Sequence, residues 1–510
     1  MRLLTLLILC AASLVSGCAK KTPKPNVLLV VVDTLRADRV GGKGLTPHLD
    51  RFAAESVVFD HAQSPRAKTT PAVASLLTGL YPHDHGVRDL TTPLRSEVPT
   101  FAEALDSAGY RTGAIVGNYV LKQSLSGLQR GFDMWVEDLP ESAGAPPHDV
   151  PLRRAASITD GALCALGLGD PAADGAGPKR PLVRGESPWF LWLHYMDPHG
   201  LYDPPPAYRP QGQSPPEPVP DAPTEASDSS ARQWIADYNV PAEARLPGGG
   251  IDARRVRDLY DGEVRYVDAE IGRLLERLQE AGVLDDTVVV FVGDHGESLG
   301  EHDYWFEHGR FAYEVTCRVP LWIHFPPSMK ETPTPGLRHG DIALADIVPT
   351  LSELLRLPRP RGQRSGYSTV RGESRAAMVM GRAGRGGPVF CEKAERVEKT
   401  RAVQSKAVRI GDWKLLRRYT HFPVEDPNEA REGIVLAEEL YDLALDPLET
   451  TNLVRTPPAG APLDELSQAL LEFASADMEF AELARVLQRR REDLGREDPE
   501  ALRALQALGY

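Results

Sequence analysis

Asn26–Asp33 reads NVLLVVVD, an unbroken apolar and largely β-branched run closed by an acid. A strand covered on both faces loses the alternation of a half-exposed one, so this run predicts a buried parallel strand. Pro188–Tyr195 (PWFLWLHY) and Thr287–Val292 (TVVVFV) have the same character. Between them, Arg254–Ala281 sets Leu259, Val264, Val267, Ile271, Leu274, Leu275 and Leu278 on a 3.6-residue repeat, which predicts an amphipathic helix. Thr46–Ser56, opened by Thr-Pro, and Thr100–Ala108 have helical spacing, and Thr112–Gly117 reads as a short strand. Strands alternating with helices give an α/β fold, a central and mainly parallel sheet flanked by helices. In such sheets function gathers beyond the carboxyl ends of the strands. Asp33, His199 and Asp294 each stand just past one.

The pattern is interrupted twice. Leu139–Glu186 and Asp203–Gly250 are rich in Pro, Gly, Ala and Ser and read as surface insertions or a lid. Past Leu357 come Pro/Arg/Gly-rich stretches, strand-like pieces at Ala407–Tyr419 and Glu439–Leu443, and Ala/Leu/Arg-rich helices from about Leu463. The expected division is a catalytic domain over 26–360, a smaller α+β subdomain over 361–460 and terminal helices over 461–510.

With 510 residues the chain can bury a large core and form two domains. Its net charge of -14 and pI near 5.5 argue against nucleic acid as the main partner, which demands a basic footprint. Met1-Arg2, an apolar run over Leu3–Val15 and then Ser16-Gly17-Cys18 describe a secretory signal too short to span a bilayer. Val15–Cys18 resembles a bacterial lipobox. Residues 1–17 are then a leader, Cys18 the lipidated mature terminus and 18–25 a tether. The expectation is export, with anchoring to the cell envelope in the periplasm or at the surface. Cys164, Cys317 and Cys391 are scattered and odd in number, and read as buried free thiols.

Asp294-His295 directly after a strand can project two metal ligands from one turn, and Asp33-Thr34 stands in the same relation to the first strand. Either pair alone is a weak signal. The surrounding segments resemble the sulfatase branch of the alkaline-phosphatase superfamily: Asn26–Asp38 (NVLLVVVDTLRAD), Thr69–Val87 (TTPAVASLLTGLYPHDHGV), Gly109–Thr112 (GYRT), His194–Pro204 (HYMDPHGLYDP), Val290–His302 (VFVGDHGESLGEH), Arg318–Pro320 and Asp346–Thr350 (DIVPT). They keep the family's order and spacing over Pro25–Leu357, with a family-like tail at Glu439–Leu453.

The resemblance implies a metal-dependent hydrolase of sulfate or phosphate esters, and it also exposes a departure. Before Leu76-Leu77-Thr78-Gly79 the family carries Cys or Ser, any residue, Pro, Ser, Arg, its first residue oxidised to formylglycine. Here Thr69 holds that first place, Pro71 the Pro, Ala72 the Ser and Val73 the Arg. Thr cannot become formylglycine. The arrangement resembles branches with a Thr nucleophile, among them phosphoglycerol and phosphoethanolamine transferases and some phosphodiesterases. By that resemblance one divalent ion (calcium, magnesium, manganese or zinc) sits among Asp33, Thr34, Asp294, His295 and Thr69. It lowers the pKa of the Thr69 hydroxyl and aims it at phosphorus or sulfur. His199 and His308 are nominated for oxygen contact or leaving-group protonation, and His302, Arg310, Lys68 and Asn118 for substrate binding. Asn118 stands where many sulfatases have a Lys. A second ion on Asp197, His199 and His308 is the variant arrangement, as in alkaline phosphatases. His83 and His85 read as structural.

The substrate implied is a small anionic ester or a sulfated or phosphorylated glycan. Thr69 favours phosphoryl chemistry, because a sulfated Thr lacks the elimination route open to formylglycine. A transferase acting on cell-envelope glycans and a non-catalytic binding lipoprotein of the same fold are the competing readings.

Overall fold

The computed structural model describes residues 24–477 apart from 43, 140–152, 170–177, 179–180, 184–186, 213, 221–233, 358–371, 383–385, 399–400 and 422–433. The leader, Cys18, much of both expected insertions and the chain beyond 477 lie outside the described residues.

The apolar runs become strands as their composition demands. β1 (Asn26–Val32) is followed by α1 (Pro47–Ala54), β2 (Val57–Gln63), α2 (Thr69–Thr78), α3 (Phe101–Ser107), β3 (Arg111–Val116) and β4 (Met134–Val136). Then come α4 (Ala155–Ala165), β5 (Trp189–Tyr195), α5 (Ala253–Glu280), β6 (Thr287–Gly293), β7 (Arg318–His324), β8 (Gly336–Ala343) and α6 (Ile347–Leu354). The eight strands form one sheet in the order β8-β2-β7-β6-β1-β5-β3-β4. β1 pairs in parallel with both β5 and β6, and only β7 runs against its neighbours.

Both faces of the sheet are covered, which is why the strands read as continuous apolar runs. Val27, Leu29 and Val31 enter one core with α2, α3, Phe190 and Trp192. Leu28, Val30 and Val32 enter the other, with α4 and the long helix α5. The helix ends obey local chemistry: Pro47 opens α1, Thr100 and Glu103 form a reciprocal capping box on α3, and the Asp252 side chain caps α5.

Two expectations need revision. Leu139–Glu186 is not wholly a surface excursion, because α4 lies inside it with Ile158, Ala162 and Leu163 buried beneath α5. Its Ala/Gly-rich sequence suits close helix packing as well as it suits a loop. Cys317 and Cys391 are not free thiols but a disulfide, with Cα atoms 6.5 Å apart across 74 residues of sequence. Cys164 is the buried free cysteine among the described residues.

The C-terminal subdomain is a four-stranded antiparallel sheet, β9 (Val389–Glu398), β10 (Arg401–Ile410), β11 (Trp413–His421) and β12 (Ile434–Asp442), in sequential order. α7 (Leu463–Ser475) covers it through Leu466, Leu470 and Phe473. The stretch Ala407–Tyr419 is therefore two strands, split at Gly411, whose φ of +60° suits a residue without a Cβ.

Candidate active site

The carboxyl ends of β1, β5, β3 and β6 and the start of α2 converge. Asp33 leaves β1 with its N–H bonded to the Tyr195 carbonyl of β5 (3.0 Å), and the Asp294 N–H bonds to the Val32 carbonyl (3.2 Å). Adjacent strands thus bring the two carboxylates together. Asp33, Asp294 and His295 are fully buried, and they present ligand atoms within 4.8 Å of one another. His295 Nε2 lies 3.5 Å from Asp33 Oδ1 and 3.7 Å from Asp294 Oδ2. The ring is fixed by Nδ1, which donates to the Gly296 carbonyl (3.0 Å) and leaves Nε2 with its lone pair towards the carboxylates.

Thr69 is the first residue of α2, and its hydroxyl lies 3.4 Å from both Asp33 Oδ2 and His295 Nε2. The helix start adds unpaired N–H groups and a positive dipole end beside it, which favour an anion there. Thr34 takes part through its backbone, donating to Asp294 Oδ1 (3.2 Å), while its Oγ1 is buried without a hydrogen bond. Its φ of +53° is strained for a β-branched residue, and such strain concentrates at functional sites. Asn118, just past β3, donates to Asp33 Oδ2 (2.7 Å) and accepts from the Val120 N–H (3.0 Å). It therefore supports the cradle rather than replacing a cationic substrate contact.

Burial pushes both Asp33 and Asp294 up from the usual carboxylate range, Asp33 also through Asp294, and pushes His295 down. Two buried carboxylates with no Arg or Lys bonded to them are costly unless a cation joins them. Asp33 Oδ1, Asp294 Oδ2 and Thr34 Oγ1 all lack hydrogen bonds, and carboxylates beside an imidazole suit a divalent ion. The donor set fits one.

Three imidazoles continue the wall. The His308 ring stands 4.4 Å from that of His295 and 5.2 Å from that of His199. Half-buried His199 gives Nδ1 to the Gly200 carbonyl at 2.7 Å, which leaves Nε2 for chemistry. His308 is held well below the ordinary imidazole range, first by burial and then by His199 and Lys68. Its Nδ1 meets Glu297 Oε1 at 3.2 Å, and burial pushes the Glu297 carboxyl up to about 7.

Lys68, the residue just before α2, lies 3.8 Å from Asp89 and influences both His308 and Glu307. Its stem passes over Gly309, where a Cβ would stand 2.7 Å from Lys68 Cε. Arg310 also influences Glu307. His302 is directed elsewhere. It stacks on Tyr313 at 3.6 Å, with Glu439 and Lys414 of the C-terminal sheet among its charged neighbours. Asp197, the candidate ligand of a second ion in the variant arrangement, has its oxygens engaged by Arg154 Nε (3.0 Å) and the Ala155 N–H (2.7 Å).

Two residues escaped the sequence reading. Glu297 stands two positions after His295 inside the quoted motif, and its carboxylate addresses His308. His194 is the one imidazole in the otherwise aliphatic and aromatic run Trp189–Tyr195, and that was the available signal. Its Nε2 is 3.9 Å from Asp33 Oδ2 and 3.7 Å from Asp294 Oδ2, and burial pushes its pKa down to about 4.

The sulfatase family model matches residues 25–357, the span that contributes every group of this cradle. The chain belongs to the sulfatase family. The choline-sulfatase of Rhizobium meliloti is 28% identical over 478 residues, covering 86% of this chain and 83% of that protein. The N-acetylglucosamine-6-O-sulfatase of Bacteroides thetaiotaomicron is 26% identical, covering 92% and 90%. Among solved structures, the phosphonate monoester hydrolase of Agrobacterium radiobacter superposes with a TM-score of 0.63 at 22% identity, covering 89% of this chain and 96% of that one. The fold is that of these hydrolases, and the chain is an enzyme that hydrolyses ester bonds.

Proposed function

We propose that this sulfatase-family enzyme uses unmodified Thr69 as its nucleophile, acts by phosphoryl rather than sulfuryl transfer to water, and needs one divalent ion. The observation that carries the reading is the Thr69 hydroxyl, 3.4 Å from both Asp33 and His295 at the start of a buried helix. Asp33, Asp294 and His295 would hold the ion, which supplies charge neutralisation and a lowered pKa for the Thr69 hydroxyl. Thr69 Oγ, its proton first lost to solvent water, bonds to phosphorus as the ester P–O bond breaks, and His199 gives the leaving oxygen a proton. Neutral His199 next takes a proton from water, whose oxygen displaces Thr69 and releases phosphate. Lys68, His308 and the α2 N-terminus face the charge that develops on the transferred group.

The substrate class on this reading is a small anionic phosphate ester or a phosphorylated glycan. Export with a lipid anchor at Cys18 is part of the proposal. The Cys317–Cys391 disulfide supports it, since such bonds persist in oxidising compartments.

The test is intact mass after brief exposure to an aryl phosphate, an aryl phosphodiester and an aryl sulfate. A phosphate-sized adduct mapping to Thr69, absent from Thr69→Ala, is expected. Rapid sulfate release by the Thr69→Ala variant, with no adduct on the unaltered chain, would sink the reading.

A further inference from the structure

The chain that follows Asp203 returns to the site. Its short strand Trp234–Ile235 pairs in parallel with Tyr304–Glu307, and the Ala236 N–H donates to the Trp305 carbonyl (3.0 Å). A single turn over Asp237–Asn239 follows, with the Asn239 N–H on the Ala236 carbonyl (3.0 Å) and the Tyr238 hydroxyl donating to the Glu307 carboxylate. Asn239 is buried, 5% exposed. Its Nδ2 donates to the carbonyl of Phe306, two residues before His308, at 2.8 Å. The same amide lies against Gly200, where a Cβ would stand 2.5 Å from Asn239 Oδ1 and 2.6 Å from its Cγ. Gly200 directly follows His199, and its carbonyl is the group that holds His199 Nδ1. One buried amide therefore meets both chain segments that carry the facing imidazoles.

Both contacts are fitted to that amide. Phe306 has a φ of +61°, a conformation that a bulky residue keeps only where its surroundings hold it, and the bond from Asn239 is one such hold. Position 200 takes a residue without a Cβ, because any side chain there would collide with the amide. The geometry points to Asn239 as a positioning residue, a brace that sets His199 against His308 and so aims the proton given to the leaving oxygen. This rests on the role of His199 proposed above. A reacting group displaced by about 1 Å can lose on the order of 100-fold in rate, so fixing the carbonyl that orients His199 has a kinetic consequence.

The test is kcat/KM of the full, metal-loaded chain on an alkyl phosphate and on nitrophenyl phosphate. An alkoxide needs a proton to leave and nitrophenolate does not, so a misaimed donor shows on the first ester alone. Asn239→Ala removes the brace, and Asn239→Asp keeps its volume but loses the N–H that Phe306 receives. Both are expected to lose roughly 10- to 100-fold on the alkyl ester and less than about threefold on the nitrophenyl ester. In a His199→Gln background neither should cost the alkyl ester more. The ratio of the two esters within one preparation is independent of how much of a variant is folded. Equal losses on both esters, no loss on either, or a full further loss on top of His199→Gln overturns the brace. Equal losses on both esters in His199→Gln itself would overturn the role of His199, and the brace with it. If the unaltered chain turns over sulfates and not phosphates, the phosphoryl reading falls, and the same comparison on alkyl and nitrophenyl sulfates decides the brace.

Discussion

At the scale of single residues, the site is a set of side chains with one nitrogen or oxygen committed and one left over. His295 spends Nδ1 on Gly296, His199 spends Nδ1 on Gly200, and His308 spends Nδ1 on Glu297. Glu297 thereby decides which nitrogen of His308 carries the ring proton and which way the ring faces. Glu297→Gln keeps the volume and removes the charge. It is expected to lower kcat roughly 10- to 100-fold with KM nearly unchanged. Steady-state kinetics, with metal content measured in parallel, checks this, and a matching loss of bound metal would reassign Glu297 to the cradle. Asp33, Asp294 and His295 were legible in the sequence because each follows directly on an apolar strand. His194 was not, because a polar residue inside such a run is read as part of the strand. His302 was nominated by the resemblance, and at its φ of +57° its ring stacks on Tyr313.

At the scale of elements, strands and amphipathic helices were legible wherever hydrophobic periodicity was strong, as in β1, β5, β6 and α5. α2 was not read as a helix, since every residue of Thr69–Thr78 is buried and the segment has no polar face to mark a period. That burial also fixes the helix. Ser75 on α2 meets His85 Nε2 at 2.9 Å, and the Val87 N–H donates to His85 Nδ1 at 3.0 Å. These bonds require neutral imidazole, and burial pushes the His85 pKa down to about 3. The unfolded chain binds a proton at His85 below about pH 6.5 while the folded chain does not. Folding is therefore penalised as pH falls from 6.5 towards 3, by about 2 kcal/mol at pH 5. His85→Asn is expected to lower the melting temperature at pH 7.5, and the gap to the unaltered protein should narrow on acidification. A gap constant between pH 7.5 and 5 would show that His85 does not titrate this way.

At the scale of the whole molecule, the catalytic sheet and the C-terminal sheet are joined by buried ions as well as by apolar packing. Arg88, in the loop after α2, donates to Asp477 (2.7 Å at Oδ2) and approaches Glu392 of β9 (3.6 Å). Lys406 of β10 bonds Glu392 (2.9 Å) and Asp477 (2.8 Å). Sequence could not show this, since Arg88 and Asp477 lie 389 residues apart and each reads as an ordinary surface charge. The family-like tail indicated only that a C-terminal unit exists. Lys406 and Arg88 hold the Asp477 and Glu392 carboxyls well below their usual range. Groups depressed on folding stabilise above their unfolded pKa of about 4, and that stabilisation is lost as pH falls through the folded value. Asp477→Asn leaves two buried cations sharing one carboxylate, an imbalance that costs about 3–5 kcal/mol. Replacing Arg88 and Lys406 together with Met, alongside Asp477→Asn, removes the unmatched charge rather than exposing it, and should recover part of that loss. Thermal melts at pH 7 and pH 4 separate the cases. The single variant should melt lower at pH 7 and keep most of that deficit at pH 4, since the stabilisation is lost only as pH falls further towards the folded value. An unchanged melting temperature at pH 7 would mean the ionic cluster contributes no net stability to the junction, leaving Tyr81, Phe390 and Phe473 to hold the two sheets together.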